Sequence, residues 1–199
     1  MSAAGFLSLA LFVAVSTITP GGATTLATAS GAHFGYRRSI PFMGGIALGL
    51  AIMAASAAAG LGGVLLAFPA LQLAMKGIGT LYLLWLSWKI ARSGSPQLHA
   101  KVARPTSFLG AVWLVWQNPK GWAMTLGAAA SFASLAAGPV DLALMLGAAF
   151  GVAALLSLSL WCVAGLLLAR LLRTEAQWHM LNAILGALLA VSILQLWLE

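Results

Sequence analysis

Acidic side chains are almost missing from this sequence. Three Asp and Glu residues stand against ten Lys and Arg in 199 residues. Asp141 and Glu175 fall at expected helix ends, and Glu199 is the last residue. Neither a pair of carboxylates for acid–base catalysis nor a carboxylate proton relay inside a membrane can be built from them. Charged residues of both signs make up only 7% of the chain, against roughly a quarter in soluble domains, which leaves no room for a sizeable soluble domain. The lone cysteine, Cys162, lies in an apolar run and excludes an intrachain disulfide or a cysteine-based metal or redox pair. No metalloprotease pair of histidines, no Gly-x-Ser-x-Gly elbow and no phosphate-binding Gly-Lys-Ser/Thr loop occurs. An enzyme is therefore not expected, nor is a metal or other cofactor. No basic region precedes the first apolar stretch, so a cleaved signal peptide is not expected either.

What the chain does have is length in apolar runs. Hydrophobic residues make up 62% of it, and the charges cluster between the runs. The net charge of +7 is a topology signal rather than a nucleic-acid one, and the expected surroundings are a lipid bilayer. At about 20 apolar residues per span, the sequence predicts six transmembrane helices, near 5–32, 40–67, 71–91, 107–134, 141–169 and 177–198. Loops joining spans 1–2, 3–4 and 5–6 carry Arg37, Arg38, Arg92, Lys101, Arg104, Arg170 and Arg173, with Lys89 at the end of span 3. The positive-inside rule puts these loops in the cytoplasm and both termini outside. A failure of span 1 to insert would instead leave five spans and a cytoplasmic N-terminus. Trp85, Trp88, Trp113, Trp178 and Trp197 fall near span ends, as an interfacial belt requires.

Two of the spans are interrupted. Ser16-Thr17-Ile18-Thr19-Pro20-Gly21-Gly22 breaks span 1 and Val115-Trp116-Gln117-Asn118-Pro119-Lys120-Gly121 breaks span 4. Proline lacks an N–H and clashes with the carbonyl four residues back, which frees the carbonyls of Ser16 and Val115. Inside a bilayer such groups are tolerated only where they are buried in protein or line a polar cavity. Three spans per half is an odd number, so the second half enters the membrane inverted. The expected fold is all-α: one transmembrane domain, 1–199, of two inverted three-helix repeats, about 1–95 and 104–199, with spans 1 and 4 broken. Gly45-x-x-x-Gly49 in span 2 and Gly147-x-x-x-Gly151 in span 5 form a second matching pair. Paired broken helices in inverted halves point to a transporter's binding site.

The expected substrate site gathers Thr17, Thr19, Pro20, Gly21 and Gly22 from the first break with Gln117, Asn118, Pro119 and Lys120 from the second. New half-helices begin after each break, and their first N–H groups attract anions. The freed carbonyls and the hydroxyls of Thr17 and Thr19 offer acceptors, so the combination suits a small zwitterion. An ammonium at mid-membrane costs at least ~2.5–3.5 kcal/mol on insertion scales, so Lys120 should meet a substrate carboxylate or freed carbonyls, unless its segment is re-entrant and reaches water. Lys76 should snorkel to the outer face. Trp116 and Trp122 flank the second break and either wall the cavity or pack ordinarily. His33 is expected at the membrane interface.

At these motifs the chain resembles the LysE/RhtB family of bacterial amino-acid exporters. The residues that carry the resemblance are Thr19-Pro20-Gly21-Gly22-Ala23, Gly35-Tyr36-Arg37, Gly45-Ile46-Ala47-Leu48-Gly49, Lys76-Gly77-Ile78-Gly79-Thr80-Leu81-Tyr82-Leu83 and Asn118-Pro119-Lys120. Gly22 and Ala23 stand where the family has Pro-Asn. Leu50 stands where many members carry an acidic residue, and Ala130-Ser131-Phe132 replaces a Pro-x-Phe. The general similarity is nearest to cysteine/O-acetylserine exporters. The resemblance implies export of small amino acids from the inner membrane, driven by the proton motive force, with some members homodimeric. Other readings of the chain are a carrier of another small solute or ion, a non-transporting membrane scaffold, or an enzyme of lipid-phase chemistry.

Overall fold

The computed structural model describes residues 3–60, 69–92, 105–172 and 174–198. The helices, in chain order, are α1 (Ala3–Ile18), α2 (Gly22–Phe34), α3 (Tyr36–Ala58), α4 (Pro69–Ala91), α5 (Phe108–Trp116), α6 (Pro119–Ser131), α7 (Pro139–Leu171) and α8 (Glu175–Leu198). A 3-10 turn, Ala133–Leu135, follows α6. No strand occurs among the described residues.

The breaks fall where proline puts them. Pro20 stops α1, and α2 departs from it at 58°. Asn118 caps α6 by accepting the Lys120 backbone N–H at 3.1 Å, and Pro119 opens that helix. Asn at the cap and proline at the first helical position are the favoured helix-starting pair. Pro139 likewise opens α7, behind Gly138, which has no side chain to cap it. The link between α2 and α3 is tighter than the sequence predicts. Gly35 alone makes it, at φ +77°, a left-handed conformation that glycine adopts without a Cβ penalty. The basic loop therefore collapses into helix: Arg37 and Arg38 occupy the exposed first turn of α3.

By length and apolarity α3 and α7 can each cross a membrane, and α1 with α2 makes a third crossing if the bent pair is one span. At 33 residues, α7 is about 50 Å long and forms the spine of the body, packing against α3, α2 and α1. Small residues permit these contacts. A Cβ on Gly31 of α2 would strike the Cys162 carbonyl of α7, and one on Gly165 of α7 would strike the Thr28 carbonyl of α2. This reciprocal approach of backbones is how helices associate in lipid, where apolar burial gives no drive. The two Gly-x-x-x-Gly stretches both serve close contacts but not equivalent ones. Gly45 and Gly49 face α5 at Phe108 and Val112, whereas Gly147 and Gly151 face α3 at Ala51.

Phe42, Ile46, Met53, Leu146 and Phe150 fill the interior, while Leu7, Leu11, Val15, Leu144 and Leu156 point outward. An apolar surface of that extent is unsuited to water and suited to lipid, so the chain is a multi-pass membrane protein. Trp85, Trp88 and Trp113 are exposed, as a belt needs. Lys89 lies 4.9 Å from the Trp85 ring and Arg92 lies 3.9 Å from the Trp88 ring. Trp178 departs from that expectation: it is buried, 5.4 Å from the His33 ring. His33 itself is tied to fully buried Asn182 at 2.8 Å, which pins α2 to α8. The side chains of Lys76 and Trp197, and most of the stretch from Arg92 to Thr106, lie outside the described residues.

Candidate functional site

The last turn of α1 cannot satisfy its own carbonyls, because no helix follows in register. Three donors from distant parts of the chain meet them. Ser157 Oγ donates to the Thr17 carbonyl at 2.8 Å, Trp161 Nε1 to that of Ile18 at 3.1 Å, and Lys120 Nζ to that of Thr19 at 3.0 Å. Ser157 and Trp161 sit one turn apart on α7, so one face of that helix caps two successive carbonyls. The hydroxyls of Thr17 and Thr19 turn back on their own helix, donating to the carbonyls of Val13 at 2.7 Å and Val15 at 2.6 Å. Their contribution to the site is therefore chiefly lone pairs and main chain.

The second break is closed differently, from within its own half. The Val115 carbonyl that Pro119 leaves without a helical partner accepts the Asn118 N–H at 3.0 Å. Trp122 Nε1 donates to the Trp116 carbonyl at 2.9 Å, with the two indoles edge to face at 5.3 Å. These tryptophans brace the turn. The first break draws its donors from the second half, and the second break draws them locally.

Between the breaks lies a cavity of ≈ 50 Å³, room for a few waters and well below the several hundred Å³ of a ligand-filled pocket. Thr17, Thr19, Gly21, Gly22, Asn118 and Lys120, all expected at the site, line it. Pro20 is exposed and Gln117 is buried, and neither lines it. Pro119 acts through the backbone, as the first residue of α6. Gln117 Oε1 has no hydrogen-bond partner among the described residues. The sequence reading missed Thr24 and Ser157 on the cavity wall, and Trp161 beside it. Ser157 and Trp161 carried a signal: two polar atoms one helical turn apart in a long, mostly apolar run.

Three helix ends converge here. The C-terminus of α1 presents partial negative charge, and the N-termini of α2 and α6 present partial positive charge. Gly21, Gly22 and Thr24 bring the start of α2 to the cavity, and Asn118 and Lys120 bring the start of α6. Thr24 Oγ1 accepts the Gly21 N–H at 2.8 Å and holds the entry to α2. The Lys120 side chain lies against Gly21, with Nζ 3.4 Å from where a Cβ would stand. None of the lining residues is acidic, and Leu50, at the position where many members of the resembled family carry an acid, is one of them. A carboxylate can thus be met by two helix N-termini, and an ammonium by main-chain carbonyls.

Several known proteins are similar to this chain over part of its length. A cysteine/O-acetylserine efflux protein of Salmonella choleraesuis (strain SC-B67) is 28% identical over 109 residues, 55% of each chain. Proteins of the same description from Salmonella paratyphi A (strain ATCC 9150 / SARB42) and Escherichia coli (strain K12) are 30% identical over 110 residues and 29% over 109, again 55% of each chain. The chain thus spans about half the length of the curated relatives it matches. No solved structure matches it. The family described as LysE type translocator matches residues 14–198, which takes in both breaks, the end of α1 and every later helix that meets the cavity. The chain belongs to the LysE type translocator family.

Proposed function

We propose that this protein exports small amino acids or close derivatives across the bacterial inner membrane as a secondary transporter. The observation that carries the reading is the meeting of the two breaks, where Lys120 of one half bonds the Thr19 carbonyl of the other at 3.0 Å beside a shared cavity. Six spans are formed by α1–α2, α3, α4, α5–α6, α7 and α8, in two inverted repeats of about 1–95 and 104–199. The packing of α3 along α7 supports this, since they are corresponding helices of the two repeats. The basic loops face the cytoplasm and both termini lie outside. Alternating access comes from rocking one repeat against the other about the broken helices.

In this cycle Thr17, Thr19, Pro20, Gly21 and Gly22 shape one side of the site, and Gln117, Asn118, Pro119 and Lys120 the other. The substrate carboxylate lies toward the N-termini of α2 and α6, and the ammonium toward the end of α1. The proton motive force drives export, and the working unit is a homodimer. Cysteine and O-acetylserine head the candidate substrates because the matched relatives are named for them.

The test is counterflow. Proteoliposomes containing the purified protein are loaded with a panel of unlabelled amino acids, and uptake of the matching labelled ones is followed. Selective accumulation of one small amino acid is expected. No counterflow across the panel, with the protein folded, would overturn the reading in favour of another solute or a non-transporting role.

A further inference from the structure

The donors on the α1 carbonyls are not alike. Ser157 and Trp161 are neutral groups fixed on α7. Lys120 is a cation on a four-carbon stem, half-buried, its stem lying along Gly21. Its position is also electrostatically mixed. It sits at the start of α6 and close to the start of α2, two positive helix poles that disfavour a cation. The bond to the Thr19 carbonyl, at the negative pole of α1, offsets that. Since the lining residues include no carboxylate, the carbonyl end of α1 is where the cavity's negative potential is concentrated.

We propose that Lys120 Nζ occupies the substrate's ammonium seat in the empty carrier. A substrate bearing a primary ammonium takes over the Thr19 carbonyl, and Lys120 swings to that substrate's carboxylate. The proposal rests on the exporter reading above and adds to it a role for Lys120, an internal stand-in for the substrate's ammonium. A simple amine displaces Lys120 without giving it an anion, and a simple acid has no group for the α1 carbonyls. Both bind poorly to the native protein. The cavity is small because the seat is filled from within, and the internal cation keeps the α1 carbonyls satisfied when no substrate is present.

The test is chemical rescue in the full chain. Lys120→Ala empties the seat, and methylammonium, with its three N–H donors, should refill it. Thermal unfolding of the purified variant is followed in methylammonium chloride, tetramethylammonium chloride and sodium chloride at equal ionic strength. The expected result is a saturable rise in the Tm of Lys120→Ala of about 2–4 °C in methylammonium. Tetramethylammonium, which has no N–H, should give none, and the native protein should respond to neither. If Lys120→Ala does not fold, Lys120→Met serves, because its side chain ends one atom short of Nζ. Equal responses to the three salts would overturn the proposal. Counterflow by the native protein is measured on the same preparation. Counterflow without the methylammonium response removes the seat and leaves the exporter reading standing. No counterflow removes that reading and, with it, the exchange of Lys120 for a substrate ammonium.

Discussion

The Lys120 ammonium lies 3.0 Å from the carbonyl of Thr19, 101 residues earlier in the chain. This bond joins the two breaks and gives the mid-chain cation a partner without any acidic residue. Removing it should separate transport from assembly. Lys120→Ala is expected to lower amino-acid counterflow at least tenfold, since one hydrogen bond to a charged group contributes about 1.5–3 kcal/mol. Membrane insertion, read by fractionation and size exclusion, should be retained. Normal flux in this variant would take Lys120 out of the site.

Ser157 tests the wall that the sequence did not reveal. It is buried and donates to the Thr17 carbonyl at 2.8 Å. Ser157→Ala leaves that carbonyl without this donor, which costs about 1–3 kcal/mol. A Tm lowered by several degrees is expected, together with reduced counterflow. Ser157→Thr keeps the hydroxyl and should recover most of the loss in Tm. A Ser157→Ala protein with unchanged Tm and flux would show that the cap is dispensable.

The α2–α7 crossing should be intolerant of a single methyl group. Gly165→Ala drives a Cβ into the Thr28 carbonyl, and backbone cannot rotate out of the way as a side chain can. Overpacking of this kind costs about 1–3 kcal/mol. Gly127→Ala on α6 is the control: nothing lies within 4 Å of its Cβ position, and alanine favours helix by about 0.5–1 kcal/mol. Thermal unfolding in detergent should rank Gly165→Ala below the native protein and Gly127→Ala at or above it. The opposite ranking would mean that this crossing is looser than described.

Asn182 holds His33 at 2.8 Å and is fully buried. Asn182→Leu keeps the branched shape but leaves the imidazole without this partner, so a loss of about 1–3 kcal/mol is expected. Asn182→Gln, one methylene longer, should not restore the native Tm. An Asn182→Leu variant as stable as the native protein would show that the bond contributes nothing to docking α8.

Topology is open to direct labelling. Cys162 is buried, and a Cys162→Ala background removes it altogether. Arg38→Cys, on the exposed first turn of α3, should react with an impermeant maleimide only from the cytoplasmic side. Labelling from outside would reverse the orientation assigned to every helix.

Some of this was legible in the residues alone. Long uncharged runs can be stable only in lipid, so composition determined that the chain is helical and membrane-bound. Pro20 and Pro119 determined where helices stop, because a missing N–H acts locally whatever surrounds it. Asn118 determined where α6 begins, because its side chain reaches an N–H only two residues away. Which groups answer the freed carbonyls was a different matter. Ser157 and Trp161 lie about 140 residues from the carbonyls they cap, and no local pattern fixes a contact over that distance. The matched Gly-x-x-x-Gly stretches suggested equivalent contacts, yet one faces α5 and the other α3. A small-residue face permits close approach without choosing the neighbour. His33 likewise gave no sign in the sequence of its partner, Asn182, which the packing of α8 brings to it. The sequence by itself thus determined the breaks and the chemistry they free. Only the tertiary structure decided that the breaks share one cavity and that Lys120 caps the end of α1, because both depend on how helices distant in the chain pack together.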